Sequence, residues 1–179
     1  MSFRCGYGLG YCYSAPLFLS RFPIVMKIVS QLIHIATDPG IQIYDITPQV
    51  QACLTTTAIQ QGQAIAFSRH TTVALAINEY EIRLITDIKT YLNQLAPESG
   101  LAIGETHYHY LHNDLHLRPN IPPDEPMNAH SHLMAITLNT SETIPIIDGQ
   151  LALGTYQSLL LFELDGPRDR TILVQLMGQ

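Results

Sequence analysis

A chain of 179 residues, 46% apolar and only 13% charged, is long enough to bury the core of a single domain. Its formal net charge of −6 excludes a general nucleic-acid or anionic-membrane binder, which would carry a basic patch. The three cysteines, Cys5, Cys12 and Cys53, are odd in number and form no C-x-x-C, which supports neither a disulfide framework nor a cysteine zinc site and fits a reducing, cytoplasmic setting.

Residues 1–25 are rich in Gly, Tyr and Phe and have no clean period. Pro16, Arg21 and Pro23 interrupt the only run that resembles a secretory core, and no stretch of about 20 apolar residues occurs to span a membrane. The expectation is a disordered extension, with one folded domain over 26–179. Ile28–Ala36 and Ile41–Ile46 alternate as strands around the turn Thr37-Asp38-Pro39-Gly40, which predicts a hairpin. Thr47-Pro48 opens a helix expected to run to Gln61, with Val50, Cys53, Leu54, Thr57 and Ala58 at helical spacing. Gln63–Ser68 and Thr72–Ile77 read as two buried strands or one interrupted strand. A second helix over Glu81–Leu95 presents Ile82, Ile85, Ile88, Leu92 and Leu95 as one stripe, and Pro97 and Gly100 stop it.

Six of the eight histidines then fall between His107 and His132. Imidazole is both the commonest metal ligand and the side chain titrating nearest neutral pH, so the stretch points to a metal site, an acid–base site or both. Thr106–Tyr110 is extended, placing His107 and His109 on one face. Asn113–Pro126 holds four prolines and is a loop, so His112 and His116 are not a helical pair. Asn128 caps a third helix to about Leu138, on which His130 and His132 lie about 200° apart. Thr143–Ile147, the turn Asp148-Gly149, a long strand over Leu151–Leu164 with Gly154 as a bulge, the turn Asp165-Gly166-Pro167-Arg168 and a strand over Thr171–Leu176 complete the chain. Strands and helices are mixed, with hairpins at both ends, which favours an α+β fold with mixed or largely antiparallel sheets and about three helices. The low charge content favours an oligomer.

Several residues invite chemistry. Arg168 suits bidentate binding of a carboxylate or phosphate, with a surface ion pair to Asp165 or Asp169 as the alternative. Gly154-Thr155-Tyr156-Gln157 brings backbone N–H groups toward a ligand or forms a simple bulge. No P-loop, dinucleotide loop or Gly-x-Ser-x-Gly elbow occurs.

Taken in order, His70-Thr71-Thr72, Asn78-Glu79, Tyr110-x-His112-x-Asp114, Asn128-Ala129-His130-Ser131-His132-Leu133, Ile144-Pro145 with Asp148-Gly149, Leu153-Gly154-Thr155-Tyr156-Gln157 and Asp165-Gly166-Pro167-Arg168 resemble the YjbQ-like family, which is linked to secondary thiamine-phosphate synthase activity. The resemblance spans about Met26–Gly178. Tyr156 stands where the family often has Trp, and Leu138-Asn139 replaces a leucine-glycine. The resemblance implies two packed, barrel-like sheets, a homotrimer and a histidine-lined site at a subunit interface. It implies His70, His112 and His132 as metal-binding or catalytic imidazoles, His130 being the alternative for the last. Asp114 would orient a histidine, Glu79 would be a base or further ligand, and Arg168 an anion clamp. Asn78, Tyr110, Gly154, Thr155 and Gln157 would bind substrate, with Tyr110 and Tyr156 stacking on it.

The implied reaction joins a pyrimidine-methyl diphosphate to a thiazole phosphate and releases pyrophosphate. The expected cofactor is a divalent metal, zinc or another transition ion by the histidine set, or magnesium where a diphosphate is bound. A metal-dependent hydrolase of a small phosphorylated or carboxylated molecule, and a non-enzymatic trimeric metal- or ligand-binding module, are the alternatives. The partner is a small molecule, with neither nucleic acid nor membrane.

Overall fold

The computed structural model describes residues 25–179. The N-terminal extension expected over 1–25 therefore lies, but for Val25, outside the described residues, as do Cys5 and Cys12. In chain order the elements are β1 (Lys27–Ala36), β2 (Gly40–Asp45), α1 (Thr47–Thr55), β3 (Gln61–Ser68), β4 (Val73–Asn78), α2 (Ile82–Leu95), β5 (Leu101–Ile103), β6 (Thr106–Tyr108), α3 (Ala129–Thr137), β7 (Ser141–Ile147), β8 (Gln150–Leu151), β9 (Ser158–Gly166) and β10 (Asp169–Gly178). Short 3-10 turns occupy Leu111–Asn113 and Leu115–Leu117. One sheet runs β1-β10-β3-β7-β8, a second runs β2-β9-β4, and β5 and β6 form a separate hairpin. All registered strand pairs among the described residues are antiparallel. The fold is α+β with three α-helices, as expected, and no helix among the described residues is long and apolar enough to cross a membrane.

Strand β9 explains the layering. Side chains alternate across a sheet, so Leu159 and Leu161 pack toward the five-stranded sheet with Val73, Leu75, Ile172, Val174 and Leu176. Leu160, Phe162 and Leu164 pack the other way, against Leu92 of α2 and Met134 and Ala135 of α3. A strand buried on both faces reads as a continuous apolar run, which is the pattern of this segment.

The predicted hairpin of the first two strands does not form. β1 pairs with β10 and β2 pairs with β9, in different sheets. The C-terminal turn Asp165-Gly166-Pro167-Arg168 likewise joins two sheets and not a hairpin pair. The two chains stay side by side through the bend: Ala36 opposes Asp169, Thr37 N–H donates to the Arg168 carbonyl at 3.0 Å, and Gly40 opposes Gly166. A two-stranded ribbon thus folds over from one sheet to the other. The turn residues do break the strands, but each break is a corner between sheets.

Three other boundaries differ. Helix α1 ends at Thr55, short of Gln61, because the Thr56 and Thr57 hydroxyls bond the Cys53 and Leu54 carbonyls and Ala58 takes φ +58°. The single strand expected over Leu151–Leu164 is two strands, β8 and β9, with a turn between them at Gly154–Gln157. At the start of α3 the Asn128 side chain makes no cap bond, and Asn113 Oδ1 accepts from Ala129 N–H at 3.1 Å. The turn at Asp148-Gly149 is as expected: both residues have positive φ, +51° and +72°, the two-residue hairpin geometry that matches strand twist, and β7 pairs with β8.

Candidate functional site

The folded-over ribbon and the β3–β4 connection put two corners next to each other at one end of the inter-sheet core. Ser68–Thr72 carries the chain from the first sheet to the second. Arg69, His70, Thr71 and Thr72 there meet Asp165, Arg168 and Arg170 of the ribbon, and Glu125, Asn128 and His132 close the rim, around a cavity of about 340 Å³.

Beneath this cavity lies a buried ion pair, of which Arg170 reaches the wall. Glu163 and Arg170 occupy inward positions of β9 and β10, where the alternation otherwise places Leu161 and Ile172. Arg170 donates from Nε and Nη2 to the two Glu163 oxygens, each at 2.6 Å, and from Nη2 to Thr72 Oγ1 at 3.0 Å. Thr37 Oγ1 and Asp165 N–H also donate to the carboxylate. Burial by itself would raise the Glu163 carboxyl, but the Arg170 and Asp165 hydrogen bonds and the Arg170 charge outweigh it and hold the group below its usual value. Sequence reasoning missed both residues. The available signal was an acid inside the apolar run Leu159–Leu164 and an arginine in step with Ile172, Val174 and Leu176.

His70 sits beyond the end of β3. There the Thr171 N–H lacks a strand partner and donates to His70 Nε2 at 2.9 Å. A ring nitrogen that accepts is unprotonated, so the proton of the neutral ring is on Nδ1. Burial, and next the Arg170 charge, push the His70 pKa down. His132 projects from α3 to the same cavity. Its pKa is lowered by burial and then by His112, whose ring lies edge-on with centroids 4.9 Å apart.

Arg168 carries the ion pair that was its alternative reading: Nη2 reaches Asp165 Oδ2 at 2.9 Å. Asn128 donates to the same Asp165 oxygen at 2.8 Å, which fixes its amide orientation and leaves Oδ1 buried. That oxygen, Tyr110 Oη, His112 Nε2 and His130 Nδ1 are buried with no hydrogen-bond partner among the described residues. Leaving such an atom unsatisfied costs about 1–3 kcal/mol, so each calls for water or another partner. Asn128 lines the polar cavity, and Tyr110 and His112 line the smaller space beside it. Arg69 is exposed and has no ion pair among the described residues.

The expected residues divide into two groups. His70, His132 and Arg168 share the cavity, and His112 touches His132 from the side of a smaller space lined also by Tyr110. The others lie on neither. Asn78 Oδ1 accepts from Glu79 N–H, and both residues are exposed at the end of β4. Asp114 contacts His109, at 2.6 Å, and not His112. Gln157 Oε1 accepts from Gly154 N–H within its own exposed turn, beside Thr155 and the exposed Tyr156. A metal was expected on His70, His112 and His132. Among the described residues no group of three or more His, Cys, Asp or Glu side chains is placed to hold one, and the Nε2 lone pair of His70 is already engaged by the Thr171 amide. The three imidazoles do not fit a metal centre within one chain.

Residues 31–179 match the family model described as UPF0047 protein YjbQ-like. A UPF0047 protein of Methanothermobacter thermautotrophicus is 36% identical over 156 residues, 87% of this chain and 96% of the relative. One from Archaeoglobus fulgidus is 36% identical, over 79% of this chain and 95% of its own length. The crystal structure of a YbjQ-like protein of unknown function from Sulfolobus solfataricus P2 superposes with a TM-score of 0.73 at 33% identity, covering 87% of this chain and 100% of that one. With the family model matched over residues 31–179 and a relative 36% identical over 87% of the chain, the chain belongs to the YjbQ-like UPF0047 family.

Proposed function

We propose that this chain is a small-molecule enzyme whose polar cavity holds the phosphate or diphosphate of its substrate. One observation carries the reading. Three arginines line a cavity with two carboxylates, and among the described residues Arg69 has no acidic partner. Arg170 is held by Glu163 and Arg168 by Asp165, so both guanidinium groups are oriented before a ligand arrives, the condition under which an arginine clamp is strongest. His70 and His132 add hydrogen bonds at the same wall, and Asn128 Oδ1 offers an acceptor to a donor on the substrate.

The reaction we assign to it is of the thiamine-phosphate synthase type. The thiazole nitrogen lone pair forms a C–N bond to the methylene carbon of a pyrimidine-methyl diphosphate. The C–O bond to the diphosphate breaks, and its electron pair leaves with pyrophosphate. Arg69 and Arg168 meet the charge that grows on the leaving group. Asn78, Glu79, Asp114 and the Gly154–Gln157 turn enter this scheme only from a neighbouring subunit of a homotrimer. The test is incubation of the purified full chain with both substrates. Thiamine phosphate and pyrophosphate should form one for one, and Arg69→Ala should lower kcat/KM by about 10²-fold. A folded wild type that binds pyrophosphate but forms no product would overturn the reaction.

A second reading rests on the His112–His132 contact, where one buried imidazole nitrogen faces no partner among the described residues. Two imidazoles with further donors from a neighbouring subunit suit a divalent metal, and with it a hydrolase or a binding module. Metal content of the purified oligomer, lost in His112→Ala, would favour it.

A further inference from the structure

The polar cavity continues into a larger one. Arg69, His70, Thr71 and His132 also line a depression of about 870 Å³, within the size range of small-molecule sites, which is about 300–1,000 Å³. Its far wall changes character. Phe67 comes from the end of β3, Val73 from the start of β4, and Ala135, Ile136 and Leu138 from α3 and its end. Ser68, Asn139, Thr140 and Ser141 add uncharged polar groups at its edge, and among the described residues Arg69 is the only Asp, Glu, Lys or Arg lining it, on the boundary with the polar cavity. Phe67 and Ile136 stand at the outer rim, 40% and 77% exposed among the described residues. The tyrosines expected to stack on a substrate are elsewhere: Tyr156 is exposed on its own turn and Tyr110 lines the separate small space.

We infer that the ligand of this site is amphipathic, with an anionic head among Arg69, Arg168 and Arg170 and an apolar or aromatic body lying across Val73 and Ala135 toward Phe67 and Ile136. This rests on the anion reading of the polar cavity and adds to it what the rest of the substrate must be. The continuity of the two spaces through four shared side chains is the argument for one molecule occupying both. A purely ionic ligand would leave the apolar wall in water, and a purely apolar one would leave the arginine cluster unused. The thiazole and pyrimidine phosphates of the proposed reaction belong to this class, as do other aryl and alkyl phosphates.

The test is calorimetric titration of the full chain with inorganic phosphate, phenyl phosphate and phenol. Phenyl phosphate should bind at least about tenfold more tightly than phosphate, the scale of burying one ring, and phenol should bind more weakly than phenyl phosphate. Phe67→Ser with Ile136→Ser, both at exposed positions, should remove most of the tenfold gain and leave phosphate binding unchanged. Equal binding of phosphate and phenyl phosphate in the wild type would overturn the inference and leave the anion site standing. So would a gain that survives the double variant, or a double variant that alters the oligomeric state without altering the ligand preference. Failure of both phosphates to bind would overturn the anion reading itself.

Discussion

At the scale of single residues, the site depends on how three polar groups are held. Glu163 is fully buried with Arg170, and a buried pair is far costlier to break than to remove. Glu163→Gln, which strands the Arg170 charge, should destabilise the chain by about 3–5 kcal/mol in urea unfolding, whereas Glu163→Leu with Arg170→Met should recover most of that. The pH dependence follows from the same group. Its folded pKa lies below the ordinary 4.5, so the unfolded chain binds more protons in between. The stabilisation is present above pH 4.5 and is lost as the pH falls through the folded value. The urea midpoint should drop in that window and stay flatter in the double variant. His70 has the same sign at higher pH: its pKa is lowered from 6.5, so its contribution is complete above 6.5 and declines as the pH falls below it. His70→Leu leaves the Thr171 N–H without its acceptor and should cost about 1–3 kcal/mol while removing that slope.

At the scale of elements, the corners decide what reaches the cavity. Gly166 is the tightest point of the folded-over ribbon, where an added Cβ would stand 2.2 Å from the Asp38 carbonyl oxygen. Gly166→Ala should therefore push the two chains apart, cost about 1–3 kcal/mol and weaken anion binding by displacing Asp165 and Arg168, as thermal unfolding and phosphate titration would show. The same corners explain what could and could not be read from the sequence. Helix α2 was legible from its apolar stripe Ile82, Ile85, Ile88, Leu92 and Leu95, to which the structure adds a Glu81 cap accepting from Arg83 and Leu84 N–H, and the Asp148-Gly149 turn because its backbone demand is specific. The sheet partners of β1 and β2 were not legible, since Asp38-Pro39-Gly40 marks a break without saying whether the chain reverses or changes sheet. Glu163 and Arg170 look out of place one at a time and make sense only when β9 and β10 are known to face each other across the core. His70 and Arg168 could be picked out as polar groups at strand ends. Their shared cavity could not, because it is made by two corners about 100 residues apart in the chain.

At the scale of the whole molecule, several large apolar side chains are exposed together on one segment of the described residues. Ile103, Tyr108, Leu111, Leu117 and Met127 are all half-exposed or more, on the hairpin and loop that also contain His109, His112 and Asp114. Buried polar atoms without partners lie under the same segment, at Tyr110 and His112. We propose that the homotrimer implied by the family resemblance covers this segment: sedimentation of the full chain should then give three times the monomer mass, and Leu111→Asp with Leu117→Asp should reduce it to one. The cavity of Arg69, His70, His132 and Arg168 is the centre of the functional claim, and nuclear magnetic resonance of the histidine side chains reads it directly. On titration with inorganic pyrophosphate, the imidazole signals of His70 and His132 should move together and saturate, while those of His34, His107 and His116 stay in place. Signals that move only outside the cavity, or none that saturate, would contradict an anion site there.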